Sequence, residues 1–249
     1  MGTFGLTMAQ AQEYVLSGRR PPEALAFNAA GIYENLKWMV LPDGGYVYPN
    51  GQDWQLFRNA DWLGVHVLMA VYGHDGDAWE LAGRCLKTME AMQRRPNGGA
   101  IYAPGETFFA SSQSDRMVQL SVVWLALRSA EQIRRSFTPR LGVRRLDAGK
   151  IILRRTPRAV HTVSWGPVVM AQCVPNRLDR IVSPDMANGL GRIRLADGKP
   201  SGPLKVTLVE AKVSDRADGF EAALTVDHGR AVRAELRFAS ESDGSWTMS

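Results

Sequence analysis

Two cysteines and four histidines are few for a chain of 249 residues, and that scarcity argues against a structural zinc site. Cys85 and Cys173 lie far apart, with no metal-binding or redox spacing, and read as two buried thiols. No apolar run approaches the roughly 18 to 20 residues that a membrane span needs. The start, Met1-Gly-Thr-Phe-Gly-Leu6, lacks the basic residues and apolar stretch of a secretory leader, so none is expected. A P-loop, a dinucleotide-binding glycine fingerprint, a His-Glu-x-x-His helix and a Gly-x-Ser-x-Gly elbow are all missing. Between Phe137 and Trp165 there is no Phe, Tyr or Trp, so the basic stretch there offers no platform for stacking bases.

What remains is an ordinary globular composition, 45% hydrophobic with seven Trp, which excludes a disordered chain. The net charge of +5 is unevenly placed. Residues 1–136 hold 12 Lys/Arg against 13 Asp/Glu, whereas 137–249 hold 18 against 12. Between Arg140 and Arg158, seven basic residues face one acid, Asp147. Such a field favours an anionic partner, although a solvated strand face reads the same way.

The hydrophobic period changes near Ser136. Before it, apolar residues recur at helical spacing. One helix is expected after Pro21-Pro22, carrying Ala24, Leu25, Asn28, Ile32, Leu36 and Met39. A second runs from about Asp53 to Gly73, a third from Asp75-Gly76-Asp77 through Cys85, Leu86 and Met89, and a fourth from Ser112 to Arg135 with Met117, Leu120, Val123, Trp124 and Leu127. A short helix near Ala9–Leu16 precedes them. In His74-Asp75-Gly76-Asp77 a loop with a helix cap is the simpler reading than a cation site. After Phe137-Thr138-Pro139 come short segments rich in β-branched residues: 150–155, 159–165, 168–174, 204–213, 220–226 and 231–238. Asp197-Gly198, Asp218-Gly219 and His228-Gly229 supply turns. The chain ends at Ser249 just after a Ser-Asp-Gly-Ser turn, as though another strand should follow, so an incomplete C-terminal domain is expected. No crossover helix falls between the strands, so the sheets should be antiparallel. The fold class is therefore α+β: an N-terminal domain of antiparallel helical hairpins over 1–136, then an antiparallel β-sandwich domain over 137–249.

The long loops Leu41–Gln52 and Pro96–Ser111 are candidate site elements. The first brings Tyr46, Tyr48, Asn50, Gln52, Asp53 and Trp54 together at the start of a helix. Aromatic faces that stack on sugar rings, with amides that bond hydroxyls or a carboxylate, suit a carbohydrate. A turn with Asp53 as helix cap and Trp54 packed at the helix start is the structural alternative. On Asp43-Gly44-Gly45-Tyr46, and on the order of its two halves, the chain resembles polysaccharide lyases built from an α/α toroid and an antiparallel β-supersandwich, the heparinase II/III, hyaluronate and alginate lyase types. Those enzymes often carry Asp-Gly-Ser-aromatic before a site-bearing helix. They have more helices and longer β-domains, so the resemblance implies a partial toroid and a fragment or reduced relative. Such proteins are usually secreted or periplasmic.

The resemblance implies metal-independent β-elimination on a uronate polymer, with no cofactor. The partner is an acidic polysaccharide or oligosaccharide, with neither nucleic acid nor a membrane involved. That chemistry needs a neutralised carboxylate, a base for the α proton and an acid for the leaving oxygen. Asn50 is the candidate neutraliser, with Gln52 as an alternative, and Tyr48 or Tyr102 the phenolic acid/base. His161 matches the histidine that the family draws from its β-domain. Tyr46, Gln52, Asp53, Trp54, Arg58, Glu106 and Arg116 are candidate substrate contacts. Two readings compete with the lyase: a carbohydrate-binding remnant without the catalytic set, and a helical glycoside hydrolase using Asp53 and Glu106 as paired carboxylates.

Overall fold

The residues after Pro22 do turn into helix, but the helix breaks almost at once. A computed structural model describes residues 10–49, 59–102, 112–127, 136–176, 190, 196–197, 206–229 and 232–249. Its helices are α1 (residues 10–16), α2 (Glu23–Ala26), α3 (Ala29–Lys37), α4 (Asn59–Tyr72), α5 (Gly76–Gln93) and α6 (Ser112–Leu127). The single helix expected from Pro22 to Met39 is two, because Asn28 sits in the left-handed region at φ 53°. Asn tolerates that conformation better than most residues. The break rotates the buried stripe of α3 onto Ala29, Tyr33 and Leu36, and leaves Ile32 exposed.

Asp75 caps α5 as expected, its Oδ1 accepting from the backbone N–H groups of Asp77 at 3.0 Å and Ala78 at 3.2 Å. The buried row of α5 runs Ala78, Leu81, Ala82, Cys85 and Met89, at alternating helical spacings, and Leu86 falls outside it. Helix α4 packs against both α5 and α6. It is correspondingly apolar around most of its circumference, burying Trp62, Leu63, Val65, Val67, Leu68, Met69 and Ala70. On α6 the core side chains are Val123 and Ala126, while Met117, Trp124 and Leu127, expected inside, are exposed. The proposed extension of this helix to Arg135 and the start of α4's pattern at Asp53 lie outside the described residues.

Among the described residues eight strands follow: β1 (Gly142–Leu146), β2 (Ile151–Arg155), β3 (Ala159–Trp165), β4 (Val169–Pro175), β5 (Thr207–Arg216), β6 (Gly219–His228), β7 (Val232–Ser240) and β8 (Trp246–Met248). They form two four-stranded sheets in chain order, β1-β2-β3-β4 and β5-β6-β7-β8, with every described pairing antiparallel. The Ser-Asp-Gly-Ser turn is followed by β8, a strand that the sequence reading did not place within the chain. Ile152, Val163, Val169 and Ala171 from the first sheet share one apolar core with Phe220, Leu224, Val226 and Phe238 from the second. The chain is thus α+β with antiparallel sheets. It divides into two compact units, one of Met1–Tyr46 with Leu56–Pro139, the other of Val47–Gln55 with Arg140–Ser249.

Candidate functional site

The segment Asp43-Gly44-Gly45-Tyr46 forms a tight turn. Leu41 N–H donates to Gly45 O at 2.7 Å, Gly44 N–H donates to Leu41 O at 2.9 Å, and Gly45 N–H donates to Asp43 Oδ1 at 3.0 Å. Glycine is required at position 44 twice over. Its φ is +80°, and a Cβ there would lie 2.6 Å from Leu81 O and 2.7 Å from Cys85 Sγ. The turn therefore seats directly on α5.

It is also tied to α4. His66 Nε2 lies 2.8 Å from Gly44 O, and Tyr33 Oη lies 2.6 Å from His66 Nδ1. A carbonyl can only accept, so Nε2 carries the proton and Nδ1 accepts from the Tyr33 hydroxyl. Burial and the nearby Lys37 ammonium lower the His66 pKa to about 4 against the upward pull of the Gly44 bond, so the ring is neutral near pH 7. Burial likewise raises Tyr33 well above an ordinary phenol, which keeps its hydroxyl a donor. Tyr46, fully buried, packs its ring 3.9 Å from Trp62 and 5.5 Å from His66 between centroids. The motif that reads as the rim of a sugar site anchors the helical core.

Lys37 belongs to the same region, and no sequence pattern pointed to it. It is only 2% exposed, with Nζ 2.6 Å from Asp75 Oδ2, 2.8 Å from Asp77 Oδ2 and 2.9 Å from Glu34 Oε1. Burial pulls its pKa down, but the hydrogen bonds to the three carboxylates prevail and raise it.

The remaining candidates are dispersed. Tyr48 is buried, and its carbonyl accepts from Gln172 Nε2 at 2.6 Å. Tyr102 is buried at the end of a loop in which Arg95 Nη2 donates to Ile101 O at 2.8 Å. Asn50, Gln52, Asp53, Trp54, Arg58 and Glu106 lie outside the described residues. Arg116 is on α6, but its side chain is outside them too.

His161 lies on β3, 1% exposed, directly opposite Arg154 on β2 and Cys173 on β4. Its Nδ1 is 2.7 Å from Ser240 Oγ and its ring centroid 5.3 Å from that of Trp246. Burial and the adjacent Arg154 lower its pKa to about 4. Gln172 pairs with Thr162, the next rung along, so its side chain projects from the opposite face of the sheet to His161. The structure thus brings the Tyr48 carbonyl to one face and the His161 ring to the other.

The basic stretch is partly spent inside. Arg154 donates to Glu241 O and, at 3.0 Å, to Ser242 O, holding the β7–β8 turn. Arg155 is 2% exposed. Arg145 pairs with Asp147 at 2.7 Å and Asp215 at 3.1 Å, and lies over the Trp165 ring. Arg140, Arg144, Lys150 and Arg158 are the exposed basic residues. Of the two thiols expected inside, Cys85 is buried but Cys173, on β4, is exposed; both are free.

Among the described residues, no group of three or more His, Cys, Asp or Glu side chains is placed to hold a metal ion, and no helix is long and apolar enough to cross a membrane. No protein-family model, curated protein or solved structure matches the chain.

Proposed function

We propose that the chain is a non-catalytic carbohydrate-binding relative of the α/α-toroid polysaccharide lyases, holding an acidic, uronate-containing polymer without cleaving it. In this reading the helical unit corresponds to a partial toroid and the two sheets to a β-sandwich. The polymer preference rests on the resemblance, on Asn50, Gln52 and Trp54 of the same loop sequence, and on the positive charge after Ser136.

The observation that carries the non-catalytic reading is the state of His161. A general base must reach the proton it abstracts. This imidazole is 1% exposed, bonded to Ser240 and packed on Trp246 in the strand unit. The phenolic candidates Tyr48 and Tyr102 are buried as well.

Affinity electrophoresis through gels containing uronate polymers, combined with the ultraviolet absorbance of unsaturated sugar ends, tests the reading. The expected result is retardation that salt reverses, with no absorbance developing. Unsaturated ends would instead establish β-elimination. Reducing ends without absorbance would establish hydrolysis, and unretarded migration in every gel would remove polysaccharide binding.

A further inference from the structure

On the face of the first sheet opposite His161, two polar atoms are buried without a hydrogen-bond partner among the described residues: Thr162 Oγ1 and Gln172 Oε1. Thr162 is 0% and Gln172 5% exposed. They are direct partners across β3 and β4, so their side chains stand side by side on one face. Leu153 on β2 completes the rung, and Val160, Met170 and Val174 stand on the neighbouring rungs of that face, all buried. Ser164, the nearest hydroxyl along β3, is occupied by Val168 O at 2.9 Å.

The orientation of the Gln172 amide is fixed, because its Nε2 donates to Tyr48 O at 2.6 Å. Its Oε1 is therefore an acceptor with nothing to accept, beside a hydroxyl with nothing to bond. Native interiors rarely leave two adjacent polar atoms in that condition. Threonine is stiff at χ1 in a strand, which limits how far the hydroxyl can turn toward the amide.

We infer that the Thr162–Gln172 pair is a buried water-binding site. A single water accepts from the Thr162 hydroxyl and donates to Gln172 Oε1. It thereby completes the polar chain that runs from the middle of the sheet to the Tyr48 carbonyl. A larger ligand does not suit a site closed to solvent, with Leu153, Val160, Met170 and Val174 around it and Arg155 and Ser164 on the neighbouring rungs of the same face. A water needs only two to four polar partners. The inference stands independently of the polysaccharide reading.

The sign of one substitution tests it. Thr162→Val keeps the shape and removes the hydroxyl. If the hydroxyl has no partner, its removal is neutral or raises the melting temperature. If it holds a bridging water, the variant loses that water, strands Gln172 Oε1, and melts about 2–4 °C lower. Oxygen-17 relaxation dispersion should count one fewer long-lived water in the variant than in the wild type. Should the variant not fold, a high-resolution crystal structure of the wild-type chain decides. Density for a water within hydrogen-bond distance of both atoms is the expected result. An unchanged or raised melting temperature, an unchanged water count, or a direct Thr162–Gln172 bond with no water between would each overturn the proposal.

Discussion

At the scale of single residues, His66 and Gly44 set the behaviour of the helical core. The folded imidazole of His66 titrates near 4, against about 6.5 in an unfolded chain. Because the folded pKa is depressed, the unfolded state takes up the proton first. The stabilisation is complete above about pH 6.5 and fades as the pH falls toward 4, by up to about 3 kcal/mol for His66 alone. His161 acts in the same direction over the same window. Urea unfolding at pH 7.0 and 4.5 should show this loss, whereas a flat profile would mean that neither ring is buried and neutral. Tyr33→Phe leaves His66 Nδ1 without its donor and should cost about 1–3 kcal/mol. Gly44→Ala meets both a left-handed φ and backbone within 2.6 Å, and should be among the most damaging single changes in the chain. Circular dichroism melts of the three proteins would rank them.

Among elements, the capping of α5 joins local and tertiary structure through one carboxylate. Asp75 Oδ1 serves the helix N-terminus while its Oδ2 holds Lys37. Asp75→Asn keeps a capping oxygen but loses the charge and sets an amide NH2 where Oδ2 accepts from Lys37. Asp75→Ala loses both, so its urea midpoint should fall further, with the cap alone contributing about 1 kcal/mol. Equal midpoints would show that the cap contributes nothing. This helix start was legible because capping is a local signal, and β3 was legible for a similar reason, its β-branched residues lying between turn residues. The break at Asn28 was not, because a single left-handed residue leaves the apolar spacing on either side nearly intact. Strand β1 was hidden because two of its five residues are Arg144 and Arg145, which read as a charge field. The loop motif at residues 43–46 was visible, but its role was not. Whether a Tyr faces a sugar or a Trp depends on tertiary partners such as Trp62 and His66, which no spacing in the sequence specifies.

At the scale of the whole chain, the charge that suggested an anionic partner separates into internal and external parts. Arg144→Gln should weaken retention on a uronate gel and flatten its salt dependence, since that side chain is exposed. Arg154→Gln should leave retention unchanged and lower the melting temperature, because its guanidinium holds the carbonyls of Glu241 and Ser242. Weaker retention by Arg154→Gln at full stability would reverse that division. The two thiols give the chain a built-in unfolding gauge, one in each unit. Cys173, exposed but with its pKa raised by partial burial, should react first with a thiol reagent, marking the native protein with one equivalent. Cys85, beneath Gly44, can react only when the helical core opens. When reclosing outruns labelling, the rate of the second equivalent divided by that of a free thiol is the fraction of time the core stands open. That ratio yields the stability of the helical unit without any denaturant.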